Sequence, residues 1–173
     1  LPVALGTQTQ GSLLRPAAYC GAVGFKPTHG ALPMQGVHPI SMTHDHLGTI
    51  GATLDDAWRI ASHISLAQGN PGQPFLDGAA AVPPPAKKPR RLIRLYLRAW
   101  ETEVAAPTRA AFEAFIENLR REGVEIIDRA SNAIVGEFER GLDGGFIERS
   151  IEITTYDMKW PYEQYVTKFA RLL

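Results

Sequence analysis

The chain has 173 residues, 45% of them hydrophobic and 21% charged, a balance typical of a soluble globular chain that can build a core. Eighteen Lys and Arg residues balance eighteen Asp and Glu residues, which excludes the strongly basic surface of a nucleic-acid or anionic-membrane binder. No apolar run approaches the roughly 20 residues of a membrane span, and a single cysteine, Cys20, excludes an internal disulfide. We expect a cytoplasmic protein with no nucleic-acid or membrane partner.

The N-terminal stretch, residues 1–68, combines loops and short strands with one helix. Residues 1–52 are rich in Gly, Pro, Thr and His and have no helical period, which predicts strands and tight turns. Thr53 and Asp56 resemble a capping box, so a helix is predicted to begin there. The helix has an apolar stripe at helical spacing, formed by Ala57, Ile60, Ala61 and Ile64. Gly69-Asn70-Pro71 is predicted to end it.

Residues 69–91 are predicted to be a connector, because they are dominated by Pro, Gly and Ala. The run Lys87-Lys88-Pro89-Arg90-Arg91 closes this stretch. We interpret this run as the solvated end of the linker, with a phosphate-binding or nuclear-localisation patch as the alternative.

Residues 92–173 are predicted to form a second α/β portion. Strands over residues 92–97 and 124–127 flank a helix that starts near Pro107, and this order is the βαβ pattern. The apolar face of that helix carries Phe112, Phe115, Ile116 and Leu119. Residues 131–173 are predicted to be mostly helical, with breaks at Gly141, Gly144-Gly145 and Trp160-Pro161.

The chemistry is predicted to lie in the stretch from Gly6 to Pro16, a turn of small and hydroxyl residues after an apolar lead-in. Such a turn can leave several backbone N–H groups pointing the same way, as in an oxyanion hole for acyl transfer. Ser12 would then be the nucleophile, provided that a base removes its proton. On these grounds alone a purely structural turn remains an alternative. The G-x-S-x-G pattern of α/β-hydrolases is absent, because no glycine lies two positions before or after Ser12.

A long ordered block of residues resembles the amidase signature family, which includes fatty acid amide hydrolases and the A subunits of tRNA-dependent amidotransferases. The resemblance is strong over residues 1–68 and looser over 92–128. The residues that carry it are Gly6, Thr7, Gly11, Ser12, Arg15, Pro16, Ala17, Cys20, Gly21, Gly24, Phe25, Lys26, Pro27, Thr28, Gly30, Pro39, Asp45, Gly48 and Asp56.

The resemblance implies an α/β fold, with a mixed β-sheet covered by helices on both faces, and amide hydrolysis through a serine acyl-enzyme. Ser12 would be the nucleophile, and the N–H groups of Thr9, Gln10, Gly11 and Ser12 would hold the oxyanion. By the family's pattern Arg15, Lys26 and Asp45 are structural. The family's base is a lysine that acts through a bridging serine in a cis peptide.

The family's lysine and bridging serine would precede Gly6. The N-terminus also has no initiator Met and no signal pattern, so we expect an internal fragment that is inactive alone. The expected substrate is a small-molecule amide, with no cofactor. A homodimer, and a non-catalytic role as a scaffold or as one component of an amidotransferase assembly, stay open as alternatives.

Two residues depart from the family's pattern at the turn. Gln8 stands where the family usually has Asp, and Gln10 where it usually has Gly. A side chain at a glycine position costs about 1 kcal/mol or more where φ is positive. We therefore expect either an allowed backbone conformation at Gln10 or a reshaped pocket.

Two other kinds of site are weaker candidates. His38, His44, Asp45 and His46 contain ligand types that suit zinc, but no further spaced ligand is evident, so we expect no metal site. Cys20 has no histidine at a recognisable spacing and is predicted to be buried and inert.

Overall fold

The computed structural model describes residues 2–67, 83 and 85–169. The predicted helix stop at Gly69-Asn70-Pro71 and most of the predicted connector lie outside the described residues. Packing divides the chain into two compact units, Leu1–Pro85 with Glu152–Leu173, and Ala86–Ile151. The division of the chain at residues 68 and 91 stays a prediction, and packing groups the C-terminal residues with the N-terminal ones.

The first unit contains a three-stranded antiparallel sheet with the order β1-β3-β2. Short strands and turns dominate residues 1–52, as the high content of glycine and proline predicted. The elements in chain order are β1 (Val3–Gln8), α1 (Leu14–Tyr19), β2 (Val23–Phe25), β3 (His46–Gly51) and α2 (Leu54–Ala67).

Helix α2 begins as the capping box predicted. Thr53 Oγ1 accepts a hydrogen bond from Asp56 N at 3.1 Å and donates one to Asp56 Oδ2 at 2.7 Å. The predicted apolar stripe is only partly buried, because Ala57 is 0% exposed whereas Ile60 is 38% exposed. A Cβ on Gly51 would lie 3.1 Å from Ala57 N, so the helix approaches the sheet too closely for larger side chains to lie between them. Small residues therefore form the contact.

The core of the first unit lies beneath this helix. Leu32, Leu47 and Ala61 form a buried cluster. Partly buried side chains of Phe25, Met34, Val37 and Ile64 pack against it. Residues from the loop between β2 and β3 thus contribute to the same core as the helix and the strands, which fixes the course of that loop.

The second unit contains the predicted βαβ arrangement, since its two strands are parallel and a long helix connects them. Its elements are β4 (Arg91–Ile93), α3 (Arg98–Thr102), α4 (Ala106–Arg121), β5 (Glu125–Ile127) and α5 (Ala133–Gly141). The predicted strand over residues 92–97 is too long. Arg94 N still donates to Ile127 O at 2.8 Å, but Tyr96 N donates to the carboxylate of Glu139 at 2.6 Å instead of to a strand. The chain therefore leaves the sheet after Arg94.

The apolar face of α4 is less buried than predicted. Ile116 is buried, but Phe112 and Phe115 remain partly exposed, the latter at 54%. Phe112 instead contacts Trp100, with ring centroids 4.9 Å apart. A two-stranded sheet is too narrow to cover a whole helix face, which explains the exposure.

The C-terminal region is helical, and one of its three predicted breaks is confirmed while the other two are wrong. Gly144 and Gly145 leave helical geometry, the latter with a φ of +107°, and the helix α6 (Ile147–Phe169) follows. Gly141 itself keeps helical angles. The break predicted at Trp160-Pro161 does not occur, since Pro161 is buried inside α6. A proline in a helix interior removes one backbone hydrogen bond and usually kinks or ends the helix, yet α6 continues to Phe169.

The α/β class is confirmed, with antiparallel pairing in the first unit and parallel pairing in the second. In the part of the chain that the structure describes, no helix is both long and apolar enough to cross a membrane.

Candidate functional site

The turn between β1 and α1 presents Ser12 on the surface and anchors itself through Leu13. Ser12 is exposed, whereas Leu13 is 0% exposed. Gly6 and Gly48 are register partners on neighbouring strands, and Cβ atoms there would lie 3.4 Å and 2.7 Å from Leu13 Cδ1. Gly48 therefore leaves the recess that Leu13 fills, whereas a Cβ on Gly6 would make an ordinary contact with it. Burial of this side chain fixes the turn to the sheet while the serine faces solvent.

Gln8 organises the same turn from beneath. Gln8 is buried, with only 6% of the residue exposed. Its side chain makes hydrogen bonds to residues on both sides of Ser12. Its Oε1 accepts from Leu13 N at 3.2 Å and from Leu14 N at 3.0 Å, and its Nε2 donates to Gln10 O at 2.9 Å. A buried amide thus satisfies the backbone of the turn. Sequence reasoning treated Gln8 as a tolerated departure and missed this role.

Asp45 holds the opposite side of the turn. Its carboxylate is 5% exposed and accepts a hydrogen bond from Thr9 Oγ1 at 2.7 Å. The other carboxylate oxygen accepts from Ile40 N at 2.7 Å and from Ser41 N at 3.1 Å. One buried carboxylate therefore joins the turn to the loop before β3.

The backbone of the turn leaves donors unused. Within the residues that the structure describes, no hydrogen bond is found from the N–H groups of Gln10, Gly11 and Ser12. No described residue other than glycine has a positive φ, so the strain considered for Gln10 does not arise. The turn can therefore carry a side chain at this position and still offer N–H groups to a ligand atom.

The remaining predicted site residues make no hydrogen bond with Ser12 in the part of the chain that the structure describes. Arg15 N donates to Gly11 O at 3.0 Å, and the exposed side chain of Arg15 lies beside Gly11, where a Cβ would be 3.9 Å from its guanidinium carbon. Lys26 is half-buried, and its Nζ donates to Pro27 O at 3.0 Å. Thr9 and Asp45 are the predicted site residues whose side chains the structure joins directly.

His46 lies at the start of β3, paired with Gln8 in the sheet. Its Nδ1 lies 2.6 Å from His44 O, and its ring meets that of His29 edge-on with centroids 5.0 Å apart. Burial lowers the pKa of His46, and the positive charges of Lys26 and His29 lower this pKa further. The neutral imidazole is therefore the favoured form here.

The histidine-rich stretch does not assemble into a metal centre. The ring of His38 packs on Tyr165 at 4.7 Å between centroids, and His44 Nδ1 lies 3.1 Å from Ser41 Oγ. Across the described ranges, no group of at least three His, Cys, Asp and Glu side chains is arranged to hold a metal ion. Cys20 is exposed, not buried as predicted, because it directly follows α1 at the end of a short surface helix.

A residue that no sequence pattern indicated, Asp157 of α6, contacts the loop that Asp45 holds. Ser41 Oγ donates to Asp157 Oδ2 at 2.6 Å, and Thr43 also donates to this carboxylate. These bonds, that from Ser41 first, lower the pKa of Asp157. The two partners are 116 positions apart, so no local pattern could have indicated the contact.

A cleft of about 1010 Å³ lies between the same loop and α6 within the first unit. Its lining includes Met34, His38, Met42, Trp160 and Tyr165. Aromatic side chains of the C-terminal stretch therefore line a cavity, together with residues of a loop that lies more than a hundred positions earlier in the chain.

The sequence matches a family model and is similar to two kinds of characterised amide-processing protein. The family model described as Amidase matches residues 1–136. Mandelamide hydrolase from Pseudomonas putida is 34% identical over 127 residues, which is 73% of this chain and 22% of that protein. The A subunit of the glutamyl-tRNA(Gln) amidotransferase from Treponema pallidum is 41% identical over 85 residues, which is 49% of this chain and 16% of that protein.

Solved structures agree on the fold. A crystal structure of an amidase matches with a TM-score of 0.69 and 24% identity, over 98% of this chain and 33% of its own. The peptide amidase of Stenotrophomonas maltophilia matches with a TM-score of 0.63 and 22% identity, over 96% of this chain and 33% of its own. The chain therefore spans about a third or less of the relatives that it matches. Since the family model covers most of its residues, the chain belongs to the amidase family.

Proposed function

We propose that this chain is the nucleophile-bearing part of a longer serine amidase, with Ser12 as the nucleophile. The observation that carries the proposal is an exposed serine in a turn with unused backbone donors. Among the described residues, no hydrogen bond is found from the N–H groups of Gln10, Gly11 and Ser12. A developing oxyanion needs such donors, fixed in advance. The similarity to mandelamide hydrolase supports a small-molecule amide as the substrate.

In the proposed reaction, Ser12 Oγ attacks the amide carbonyl carbon while its proton passes to a base. The carbonyl electron pair becomes an oxyanion, which the N–H groups of Thr9, Gln10, Gly11 and Ser12 hold. Collapse of this intermediate expels the amine, which takes the proton, and leaves an acyl ester on Ser12. Water then hydrolyses the ester and regenerates the serine.

The base in this proposal is not Lys26. Its Nζ donates to Pro27 O, so its ammonium already has a structural partner. We propose instead the family's lysine and bridging serine, located in sequence that precedes the turn. A lysine can act as a base when burial lowers its pKa and keeps it neutral.

Fluorophosphonate labelling of the complete polypeptide tests the nucleophile. Ser12→Ala should abolish covalent labelling and amide turnover, because the acyl-enzyme can no longer form. Ser65→Ala, which removes a hydroxyl from helix α2, is the matched control and should label like the parent. Labelling that persists in Ser12→Ala at the parent's stoichiometry would refute the assignment.

The second candidate is a component of an amidotransferase assembly, which the 41% identity with the A subunit of such an enzyme favours. A complete polypeptide of this kind would purify with partner proteins and hydrolyse glutamine. Turnover of aromatic or aliphatic amides by a single polypeptide species would favour the first candidate. Size-exclusion chromatography of the same sample reports whether it is a homodimer, which stays a prediction, as does its cytoplasmic location.

A further inference from the structure

The cleft between the loop before β3 and helix α6 has a lining that suits an aromatic ligand. Its apolar lining includes Met34 and Met42 from the loop and Trp160 and Tyr165 from the helix. Methionine thioethers make favourable contacts with aromatic rings, and aromatic side chains attract one another in offset or edge-on pairs. At about 1010 Å³ the cleft lies at the upper end of the range for sites that hold small organic molecules. It therefore has room for a ligand larger than a simple aliphatic amide.

The charges of the lining favour a neutral ligand. Apart from His38, the lining has one acidic and one basic side chain, Glu163 and Lys168, which offset each other. The ring of His38 packs on that of Tyr165 with 4.7 Å between centroids, so an aromatic pair already forms part of the wall. Burial of a charged group without a partner is costly. A neutral aromatic group finds rings and thioethers in this cleft instead.

Hydrogen bonds hold both walls of the cleft to one loop segment. On the helix side, Asp157 accepts from Ser41 Oγ at 2.6 Å, and Ser41 is fully buried. On the other side, Ser41 N donates to Asp45 at 3.1 Å, and the carboxylate of Asp45 also accepts from Thr9 Oγ1 at 2.7 Å. These bonds join α6, the loop and the turn that carries Ser12. A group bound in the cleft is therefore held by segments that are fixed relative to the serine, as a substrate group must be.

We propose that this cleft binds the aromatic group of the amide substrate, so that the substrate is a neutral amide that carries an aryl group. The inference rests on the proposed amidase function and adds the substrate class to it. Met34, Met42, Trp160 and Tyr165 are then specificity-determining residues, because they contact the aryl group and not the amide bond.

Methionine methyl NMR of the complete polypeptide, in its Ser12→Ala form, tests this site without turnover. Phenylacetamide should cause ring-current shifts of the methyl signals of Met34 and Met42, which Met34→Leu and Met42→Leu assign. Met158 belongs to α6 but not to the lining, and its signal should stay in place as the internal control. Cyclohexylacetamide has a similar size but no aromatic ring, and it should bind roughly two- to tenfold more weakly. Absence of shifts at both methyls, or equal affinity for the two amides, would overturn the inference.

Trp160→Ala in the polypeptide with Ser12 intact tests the consequence for specificity. It should lower kcat/KM for phenylacetamide at least about tenfold, but less than about threefold for acetamide, which has no group to fill the cleft. Tyr162→Ala is the matched control, because Tyr162 is as exposed on α6 as Trp160 but does not line the cleft. This control should leave both values unchanged. Equal losses for the two amides in Trp160→Ala would speak against the cleft as the aryl site.

The NMR measurement also separates this inference from the proposed function. Shifts at Met34 and Met42 in a polypeptide whose Ser12 form has no amidase activity would support the cleft as an aromatic site while the proposed function falls. Amidase activity without any shift at these methyls would support the proposed function and overturn the inference.

Discussion

At the residue scale, the buried carboxylate of Asp45 links two segments that are distant in sequence. It accepts hydrogen bonds from the Thr9 side chain and from two backbone N–H groups of the loop before β3. Hydrogen bonds to an ionised acceptor are roughly twice as strong as neutral ones, so this carboxylate is a principal support of the turn from outside β1.

Asp45→Asn should loosen this support selectively. The amide can still accept from Ile40 N and Ser41 N with its oxygen and donate to Thr9 Oγ1 with its nitrogen, but these neutral hydrogen bonds are weaker than those to the carboxylate, at a cost of about 1 kcal/mol. Hydrogen exchange at Ile40 and Ser41 should report this loss as easier local opening. Asp55→Asn, in the exposed first turn of α2, is the control with the same change in charge. Equal effects of the two substitutions would contradict the role of Asp45.

His46 makes the stability of the first unit dependent on pH. Burial lowers its folded-state pKa below the usual value of 6.5, so the unfolded chain binds protons at a pH where the folded chain does not. The contribution of the neutral imidazole is therefore fully present above pH 6.5 and is lost as pH falls toward the folded pKa. His46→Gln should flatten the decrease in the unfolding midpoint over this window, whereas His63→Gln on the exposed side of α2 should not. The same pH slope in both variants would count against this assignment.

Single residues could be predicted where the residues that define their role are close in sequence, and not where those residues are distant. The block of motif residues is local in sequence and predicted Ser12 as the nucleophile and Asp45 as structural, and these roles stay predictions. The burial of Gln8 and the contact between Ser41 and Asp157 could not be predicted, because both depend on which groups tertiary packing brings together.

At the element scale, strand β3 approaches the turn between β1 and α1 through a glycine, Gly48. A Cβ on Gly48 would lie 2.6 Å from Phe25 O and 2.7 Å from Leu13 Cδ1. The first contact is with backbone, which cannot rotate away. The spacing of the three strands and the packing of the Leu13 side chain therefore both require glycine at position 48.

Gly48→Ala should destabilise the first unit by about 1–3 kcal/mol, the usual effect of an added group in a packed interior. Gly6→Ala, at the register partner on β1, is the matched control, because its Cβ would meet Leu13 at an ordinary 3.4 Å. Urea unfolding should show a lower midpoint for the first variant and a nearly unchanged one for the second. A midpoint for Gly48→Ala that equals that of the parent would contradict the packing argument.

Helices and strands with local signals were predicted well, and those that depend on distant partners were not. The capping box of α2 and the βαβ order needed only neighbouring residues. The early end of β4 depends on Glu139, whose carboxylate takes the N–H of Tyr96. The continuation of α6 through Pro161 likewise contradicted a local rule.

At the scale of the whole molecule, the chain spans only about a third of its solved relatives. Several large apolar side chains are exposed on it, among them Phe115, Phe138 and Ile147. Exposed apolar groups of this size are typical of surfaces that another segment or partner covers.

We predict that the isolated 173-residue chain does not hydrolyse amides, whereas the complete polypeptide does. The reason is chemical, since Ser12 needs a base and Lys26 is engaged elsewhere. Turnover of an amide panel by the isolated chain, abolished by Ser12→Ala, would contradict the prediction. The matched control is the complete polypeptide, which should be active at the same concentration.

The sequence by itself determined the family, the α/β class and the position of the proposed nucleophile, because ordered motifs and helical or strand periods are local properties of the chain. Only the tertiary structure decided how the turn is held: by Gln8 from beneath, by Asp45 from the side and by Leu13 in a recess beside Gly48. The reason is physical. Hydrogen bonds to buried backbone and contacts across strands depend on distances between segments, and these distances exist only once the chain has folded.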